Sequence, residues 1–224
     1  MTEPDAPDLP PPLADRACGG CTVCCVALTI EDKDLQKVQG YRCPHMKTGQ
    51  GCGIYDTRPG TCREFYCGWR QLKWVRGGLR PDVSGVLFQL RRDLSAAIGA
   101  QRIAVSVTLL TRAALQAEGL AESIAAGVAA GVPVFLVVPG PPGYTSAQAQ
   151  INDHVHEAVR TRDKAGLLRI LAEMYREARR GDFRRIVIEP NPDGGGVKAK
   201  VAPRVAPRGA KRVTTGGATA VRKT

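Results

Sequence analysis

Eight cysteines, all between positions 18 and 67, are the feature that most restricts how this chain can fold. They are Cys18, Cys21, Cys24, Cys25, Cys43, Cys52, Cys62 and Cys67. Thiolates separated by two residues can turn back onto one metal ion, and Gly19 and Gly20 permit the tight turn that this needs. Where disulfides are disfavoured, as in the cytosol, such spacing predicts a metal site rather than crosslinks.

The number of ions and their kind stay open at this level. In an extended backbone the adjacent Cys24 and Cys25 would point to opposite sides, so one of them would face a second ion or another wall of a cluster. Eight thiols could supply two zinc sites of four thiolates each, or one four-cysteine iron–sulfur cluster and one zinc site. His45 follows Cys43 and Pro44, and we expect it to be a neighbour of the ligands rather than a ligand.

The charge around the cysteines supports ligation. Residues 18–80 contain ten Lys or Arg against five Asp or Glu. Arg42, Arg58 and Arg63 lie within four residues of Cys43 or Cys62. Cations beside a thiol favour the thiolate, which is the form that binds metal.

The residues between the cysteines predict one helix. Thr29 would cap it, Glu31 and Asp32 suit its first turn, Leu35 would face inward, and Gly40 would end it. Such a helix would separate the first four cysteines from the later ones.

The expected location is the cytoplasm, without a membrane segment. The first 17 residues are acidic and rich in proline, and they lack the basic start and apolar stretch of a secretory signal. The longest apolar run, at residues 132–139, has the length of a strand and falls short of the roughly 18 residues of a membrane span.

Four regions follow from composition. We expect a flexible segment at 1–16, a cysteine-cluster metal-binding module at 17–82, an α/β segment at 83–189 and a disordered basic tail at 190–224. The predicted fold class is therefore α+β, with the cysteine-rich module packed against a small α/β segment.

Strand signals dominate the α/β segment. Residues 85–90, 103–110 and 132–138 are apolar and rich in β-branched side chains, and the last run is continuous, as in a strand buried on both faces. A helix is predicted over 112–130, between the second and third strands. This arrangement is a βαβ unit, which implies a parallel pair of strands.

Two more helices and a strand are predicted towards the carboxyl end. Thr145 and Gln148 form a capping box before one amphipathic run, and Asp163 would cap the next. Residues 185–189 read as a further strand.

The tail carries much of the excess positive charge. Residues 191–224 hold eight Lys or Arg and one Asp, whereas the first 190 residues hold 24 Lys or Arg and 20 Asp or Glu. Such arms contact nucleic acid weakly and without sequence preference through phosphates. We favour the alternative, a segment that serves solubility.

The cysteine-rich region resembles a known family. The segments that carry the likeness are CGGCTVCC at 18–25, CPH at 43–45 and GCGIYDTRPGTCREFYCGW at 51–69. They are similar to the CxxCxxCC family, the YkgJ-type cysteine-cluster proteins with a putative zinc- or iron-chelating domain. The resemblance covers residues 18–70 and implies that all eight cysteines are metal ligands. The family includes a branch similar to flagellin lysine methylases, which modify a lysine with S-adenosylmethionine.

Three functions follow as hypotheses. The first is a cytosolic metal-binding protein that holds zinc or an iron–sulfur centre. The second, which rests on the family resemblance, is an iron–sulfur-dependent enzyme that modifies protein side chains, similar to flagellin lysine N-methylase. The third is a nucleic-acid-associated zinc module whose basic tail supplies affinity. Whether the chain is an enzyme is left open, and no catalytic residue is assigned.

Overall fold

The computed structural model describes residues 9–92, 103–192 and 196–203. It contains both helices and strands, in agreement with the predicted α+β class. The helices are α1 Cys24–Ala27, α2 Gly60–Glu64, α3 Gly68–Gln71, α4 Pro81–Ser84, α5 Leu120–Ala129, α6 Asn152–Arg160 and α7 Lys164–Ala178. The strands are β1 Ile30–Glu31, β2 Gln36–Lys37, β3 Met46–Lys47, β4 Gly51–Cys52, β5 Val86–Arg91, β6 Ala104–Leu109, β7 Val134–Val138, β8 Ala147–Gln150, β9 Ile186–Pro190 and β10 Val197–Val201.

A four-stranded sheet in the order β5-β6-β7-β8 forms the centre. The two inner strands are parallel, with Val107 opposite Leu136, and each outer strand pairs antiparallel to its neighbour. Every residue of β6 and β7 is buried, which explains their continuous apolar sequences. The predicted strands and the parallel pair of the βαβ unit are confirmed.

The helix predicted over 112–130 is wrong in its length. The chain instead forms a 3-10 helix, Arg112–Gln116, and then α5. Gly119 separates the two with a φ of +84°, and a Cβ there would lie 2.7 Å from Cγ of Arg76. The backbone has to turn at this glycine because Arg76 occupies the adjacent space.

The capping box predicted at Thr145 and Gln148 is also wrong, because Gln148 belongs to the outer strand β8. Helix α6 begins at Asn152, whose side chain binds the sheet instead: Oδ1 accepts from N–H of Val134 at 2.8 Å, and Nδ2 donates to the carbonyl of Val132 at 2.8 Å. The predicted cap of α7 is confirmed, since the Asp163 carboxylate accepts from N–H of Gly166 at 2.8 Å.

The helix predicted from Thr29 to Gly40 is replaced by a hairpin of β1 and β2. Asp32 causes the difference: its carboxylate accepts from N–H of Asp34 at 3.0 Å, which fixes a local turn that competes with a helix. The Thr29 hydroxyl accepts from N–H of Gln39 at 3.1 Å, so it joins the two ends of the hairpin rather than capping a helix.

Both terminal regions differ from the sequence-based expectation where the structure describes them. Residues 197–201, placed in the predicted disordered tail, form β10 against β9, and N–H of Ala199 donates to the Glu31 carboxylate at 2.8 Å. In the predicted flexible segment, N–H of Leu13 donates to the carbonyl of Arg70 at 2.6 Å. Backbone and side-chain hydrogen bonds outweigh the weak apolar content of both segments. Residues 1–8 and 204–224 lie outside the described residues.

The cysteine-rich region shares its interior with the sheet. Trp69, Val75 and Leu79 are buried in the same core as Phe88 and Leu136. A second, much smaller core consists of Ile30, Leu35 and Cys43. The larger core therefore holds one side of the cysteine-rich region in place.

Within the described residues, no helix combines the length and apolar character that crossing a membrane requires.

Asn152→Ala tests how α6 is fixed to the sheet. The substitution leaves the N–H of Val134 and the carbonyl of Val132 without their side-chain partner, and we expect it to lower the free energy of unfolding by about 1–3 kcal/mol. Urea unfolding followed by tryptophan fluorescence measures the change. The control is His154→Ala, an exposed position on the same helix. Equal stability of the two variants would contradict a stabilising role for the two hydrogen bonds of the Asn152 side chain.

Candidate functional site

All eight cysteines are free thiols, and all eight line a single cavity. They are Cys18, Cys21, Cys24, Cys25, Cys43, Cys52, Cys62 and Cys67. Cys43 is buried and the other seven are partly exposed. The cavity volume is about 150 Å³, roughly ten times the space that one water-sized sphere needs. The cavity therefore has room for more than one ion.

A glycine turn positions the first two cysteines. N–H of Cys21 donates to the carbonyl of Cys18 at 3.0 Å, and Gly19 between them has a φ of +52°. A Cβ on Gly20 would lie 2.7 Å from the carbonyl oxygen of Gly49. The turn thus packs so closely against the loop of the β3–β4 hairpin that no side chain fits between them.

Cys24 and Cys25 begin the short helix α1, whereas the sequence analysis assumed an extended backbone for them. Successive side chains of a helix are about 100° apart rather than opposite. Their thiols act on each other as a hydrogen-bonded pair, in which Cys24 holds its proton more strongly than Cys25 does. The two thiols therefore differ in how readily they ionise.

The later cysteines are carried by four different pieces of the chain. N–H of Cys43 donates to the carbonyl of Cys25 at 2.9 Å. Cys52 lies opposite Met46 in the β3–β4 hairpin, which turns the chain back towards Cys43. Cys62 lies in α2, and Cys67 immediately precedes α3.

Cys24 and Cys25 have opposite pKa shifts. The hydrogen bond to Cys25, then burial, and then the neighbouring Cys25, Cys21 and Cys18 raise the pKa of Cys24. Accepting that bond lowers the pKa of Cys25 to about 7, with Lys37 and Arg58 adding to the effect. Cys25 is thus the thiol that ionises at neutral pH.

The remaining shifts come mainly from burial, and the cysteines that contribute differ from site to site. Burial raises the pKa of Cys21 to about 11, with a contribution from Cys67. Burial also raises the pKa of Cys67, with a contribution from Cys18. For Cys62, burial and then Cys43, Cys25 and Cys52 raise the pKa.

Cys24 and Cys25 act most strongly on each other. Apart from that pair, the thiols that act on one another fall into two sets. The first set is Cys18, Cys21, Cys24 and Cys67. The second set is Cys25, Cys43, Cys52 and Cys62. The adjacent Cys24 and Cys25 are the junction between them.

A buried lysine lies beside the second set. Lys37 is 7% exposed, and its ammonium donates to the carbonyls of Val26 and Leu28. Burial lowers the pKa of Lys37, and four thiols oppose this effect, those of Cys43, Cys25, Cys24 and Cys62. The lysine thus places a positive charge where thiolates would be negative.

Arginines contact the cavity at other points. Nη1 of Arg70 lies 3.8 Å from Sγ of Cys18. Arg58 stacks over the ring of Tyr55, 3.8 Å from its centroid, and both line the cavity. Of the arginines that the sequence analysis singled out, Arg58 therefore lies at the cavity, whereas the exposed Arg42 binds the hydroxyl of Thr48.

The sequence analysis missed Lys37 and Arg70. Lys37 carried no signal because the segment around it was predicted as a helix. Arg70 follows Cys67 by three residues, and its N–H donates to the carbonyl of Cys67 at 2.8 Å. An arginine one turn after a cysteine that precedes a helix was the sequence signal that could have identified Arg70.

The three histidines lie in two parts of the fold. His45 lines the cavity, and its carbonyl accepts from N–H of Gly53 at 2.8 Å. His154 and His156 are exposed on α6.

In the described parts of the chain, no group of three or more His, Cys, Asp or Glu side chains is arranged to hold a metal ion. The donors nevertheless fit zinc or iron by their chemistry, since sulfur is a preferred ligand of both. Closing four sulfurs around an ion requires the thiols to rotate from the positions that they occupy here.

Comparison of the chain with protein-family models, with curated proteins and with solved structures finds no match.

The order in which the thiols react with an alkylating agent tests the electrostatics of the cavity. In reduced, metal-free protein at pH 7 we expect Cys25 to react first, because its pKa of about 7 makes roughly half of it thiolate, and Cys21, with a pKa of about 11, to react among the last. Mass spectrometry of peptides over a time course measures the order.

The comparison variant is Cys24→Ala, which removes the thiol that donates to Cys25. We expect the half-maximal rate of Cys25 alkylation to move to higher pH in this variant. Alkylation of Cys25 at the same rate as Cys21 in the folded wild-type protein would contradict the lowered pKa of Cys25.

Proposed function

We propose that this chain is a cytosolic metal-binding protein whose eight cysteines hold zinc or an iron–sulfur centre. The observation that carries the proposal is the convergence of eight free thiols, from separate pieces of the chain, on one cavity. Thiols grouped in this way are a natural ligand set for soft cations, and a bound cation offsets the charge of the thiolates.

The cations around the cavity support the same proposal. Burying an ammonium costs free energy unless anions lie nearby, and thiols are the anion-forming groups beside Lys37. The protein has thus placed fixed positive charge next to groups that become negative when they bind metal.

The metal would also stabilise the fold. The core formed by Ile30, Leu35 and Cys43 is small, and β1 to β4 have two residues each. So small a core contributes little free energy, and metal binding to a site of this kind is coupled to folding.

The resemblance to the CxxCxxCC family stays a prediction, as do a methylase-like activity and a role in nucleic-acid binding. An open iron site and binding of S-adenosylmethionine would favour the enzyme. A four-thiolate zinc site has no open coordination position and would be structural.

Metal analysis of anaerobically purified protein tests the proposal directly. We expect either zinc without visible absorbance, or iron together with acid-labile sulfide and a visible iron–sulfur spectrum. Plasma emission spectroscopy, a sulfide assay and an absorption spectrum measure these. A folded chain that contains neither metal and takes up neither on reconstitution would refute the proposal.

Lys37→Met tests the role of the buried ammonium. Removing this charge leaves the thiolates less compensated, and we expect the dissociation constant for Zn²⁺ to rise about 10–100-fold, as for other groups just outside a ligand set. Competition with a chromophoric chelator measures the constant. The matched control is Lys33→Met, an exposed lysine of the β1–β2 turn, and an equal effect of both substitutions would contradict a specific role.

A further inference from the structure

The second set of cysteines surrounds the smaller core. Cys25 and Cys62 pack against the cluster of Ile30, Leu35 and Cys43. Met46, which lies opposite Cys52 in the hairpin, packs against the same cluster, and its N–H donates to the carbonyl of Cys43 at 3.1 Å. The four cysteines of this set are thus placed by one local group of contacts.

The first set is placed by different contacts. Cys67 packs against the larger core of the sheet. Arg70 connects it to Cys18, because its N–H donates to the carbonyl of Cys67 and its guanidinium lies 3.8 Å from Sγ of Cys18. Cys21 is tied to Cys18 by the glycine turn.

Fixed cations lie beside both sets. Nη1 of Arg70 lies 3.8 Å from Sγ of Cys18 in the first set. Beside the second set, the ammonium of Lys37 donates to the carbonyl of Val26, the residue after Cys25, and Arg58 lines the cavity four residues before Cys62. Positive charge is thus available next to each set.

We infer that the eight cysteines form two separate four-cysteine ligand sets, one of Cys18, Cys21, Cys24 and Cys67 and the other of Cys25, Cys43, Cys52 and Cys62. Each set holds its own metal centre, and the adjacent Cys24 and Cys25 serve different centres. This inference rests on the proposed metal-binding function and adds to it the assignment of ligand to centre.

The competing arrangement is one cluster whose ions share bridging thiolates. In that case every cysteine would contribute to the binding of all the metal, and the loss of any of them would weaken the whole cluster. The two arrangements therefore differ in how substitutions combine.

Zinc binding by combined variants of the full chain separates the two arrangements. The background Cys18→Ser/Cys67→Ser disables the first set, and Cys43→Ser/Cys62→Ser disables the second. Native mass spectrometry counts the Zn²⁺ retained, and a competing chelator gives the affinity. We expect two Zn²⁺ on the wild type and one on either background, bound as tightly as in the wild type.

The decisive step is to add Cys24→Ser or Cys25→Ser to each background. Where only the second set remains, we expect Cys25→Ser to weaken Zn²⁺ binding at least about 100-fold and Cys24→Ser to leave it unchanged, because loss of a direct ligand exceeds loss of an outer contact. Where only the first set remains, we expect Cys24→Ser to weaken Zn²⁺ binding by the same factor and Cys25→Ser to leave it unchanged. The same response to both substitutions in either background overturns the assignment.

A measurement on the unmutated chain guards against variants that do not fold. Loaded with ¹¹³Cd²⁺, separate centres give two cadmium resonances without cadmium–cadmium coupling, whereas bridging thiolates produce such coupling and would overturn the inference. A wild type that takes up neither Zn²⁺ nor Cd²⁺ and assembles no iron–sulfur centre on reconstitution defeats the proposed function itself. If the wild type binds both ions but Cys24→Ser and Cys25→Ser do not have opposite effects in the two backgrounds, only the assignment of ligands to centres is defeated.

Discussion

Negative charge on sulfur is the constraint around which the amino-terminal part of this protein is built. Thiols line a partly enclosed cavity, and ionising several of them there is unfavourable without compensation. Cys24 and Cys25 show the problem in its simplest form, because the interaction between them raises the pKa of Cys24 and lowers only the pKa of Cys25. The buried ammonium of Lys37 and the guanidinium of Arg70 are fixed contributions to the solution. Under the proposed function, bound cations supply the rest.

The core of the sheet supports one side of this cavity. Trp69 and Leu79 belong to the core of the sheet, although they lie in or beside the cysteine-rich region. Cys67 packs against that core, whereas Cys43 belongs to the small one. The two ends of the cavity therefore rest on interiors of very different size. The part around Cys43 should therefore open more readily than the part around Cys67, since its own core contributes less free energy.

Sequence patterns predicted those elements whose burial or capping is local. Strands β6 and β7 were visible as apolar runs, and Asp163 marked the start of α7. The predicted helix after Thr29 failed because Asp32 forms a turn with its own neighbours, which periodicity does not reveal. Spacing and the family resemblance pointed to the eight cysteines as one group, but not to the core against which any of them packs. Cys67 packs against the core of the sheet, whereas Cys43 belongs to the small core, and Cys25 and Cys62 pack against it. These contacts join residues far apart in the chain, which sequence patterns do not reveal.

The hydrogen bond between Ala199 and Glu31 joins residues 168 positions apart. During synthesis the cysteines emerge long before β10 exists. The contact between β10 and β1 can therefore form only after the rest of this edge of the protein has been synthesised. A nascent or truncated chain would expose the polar groove between Asp32 and Val197 that the finished protein partly encloses. The surroundings of the thiols are thus complete only once the chain has been synthesised as far as β10.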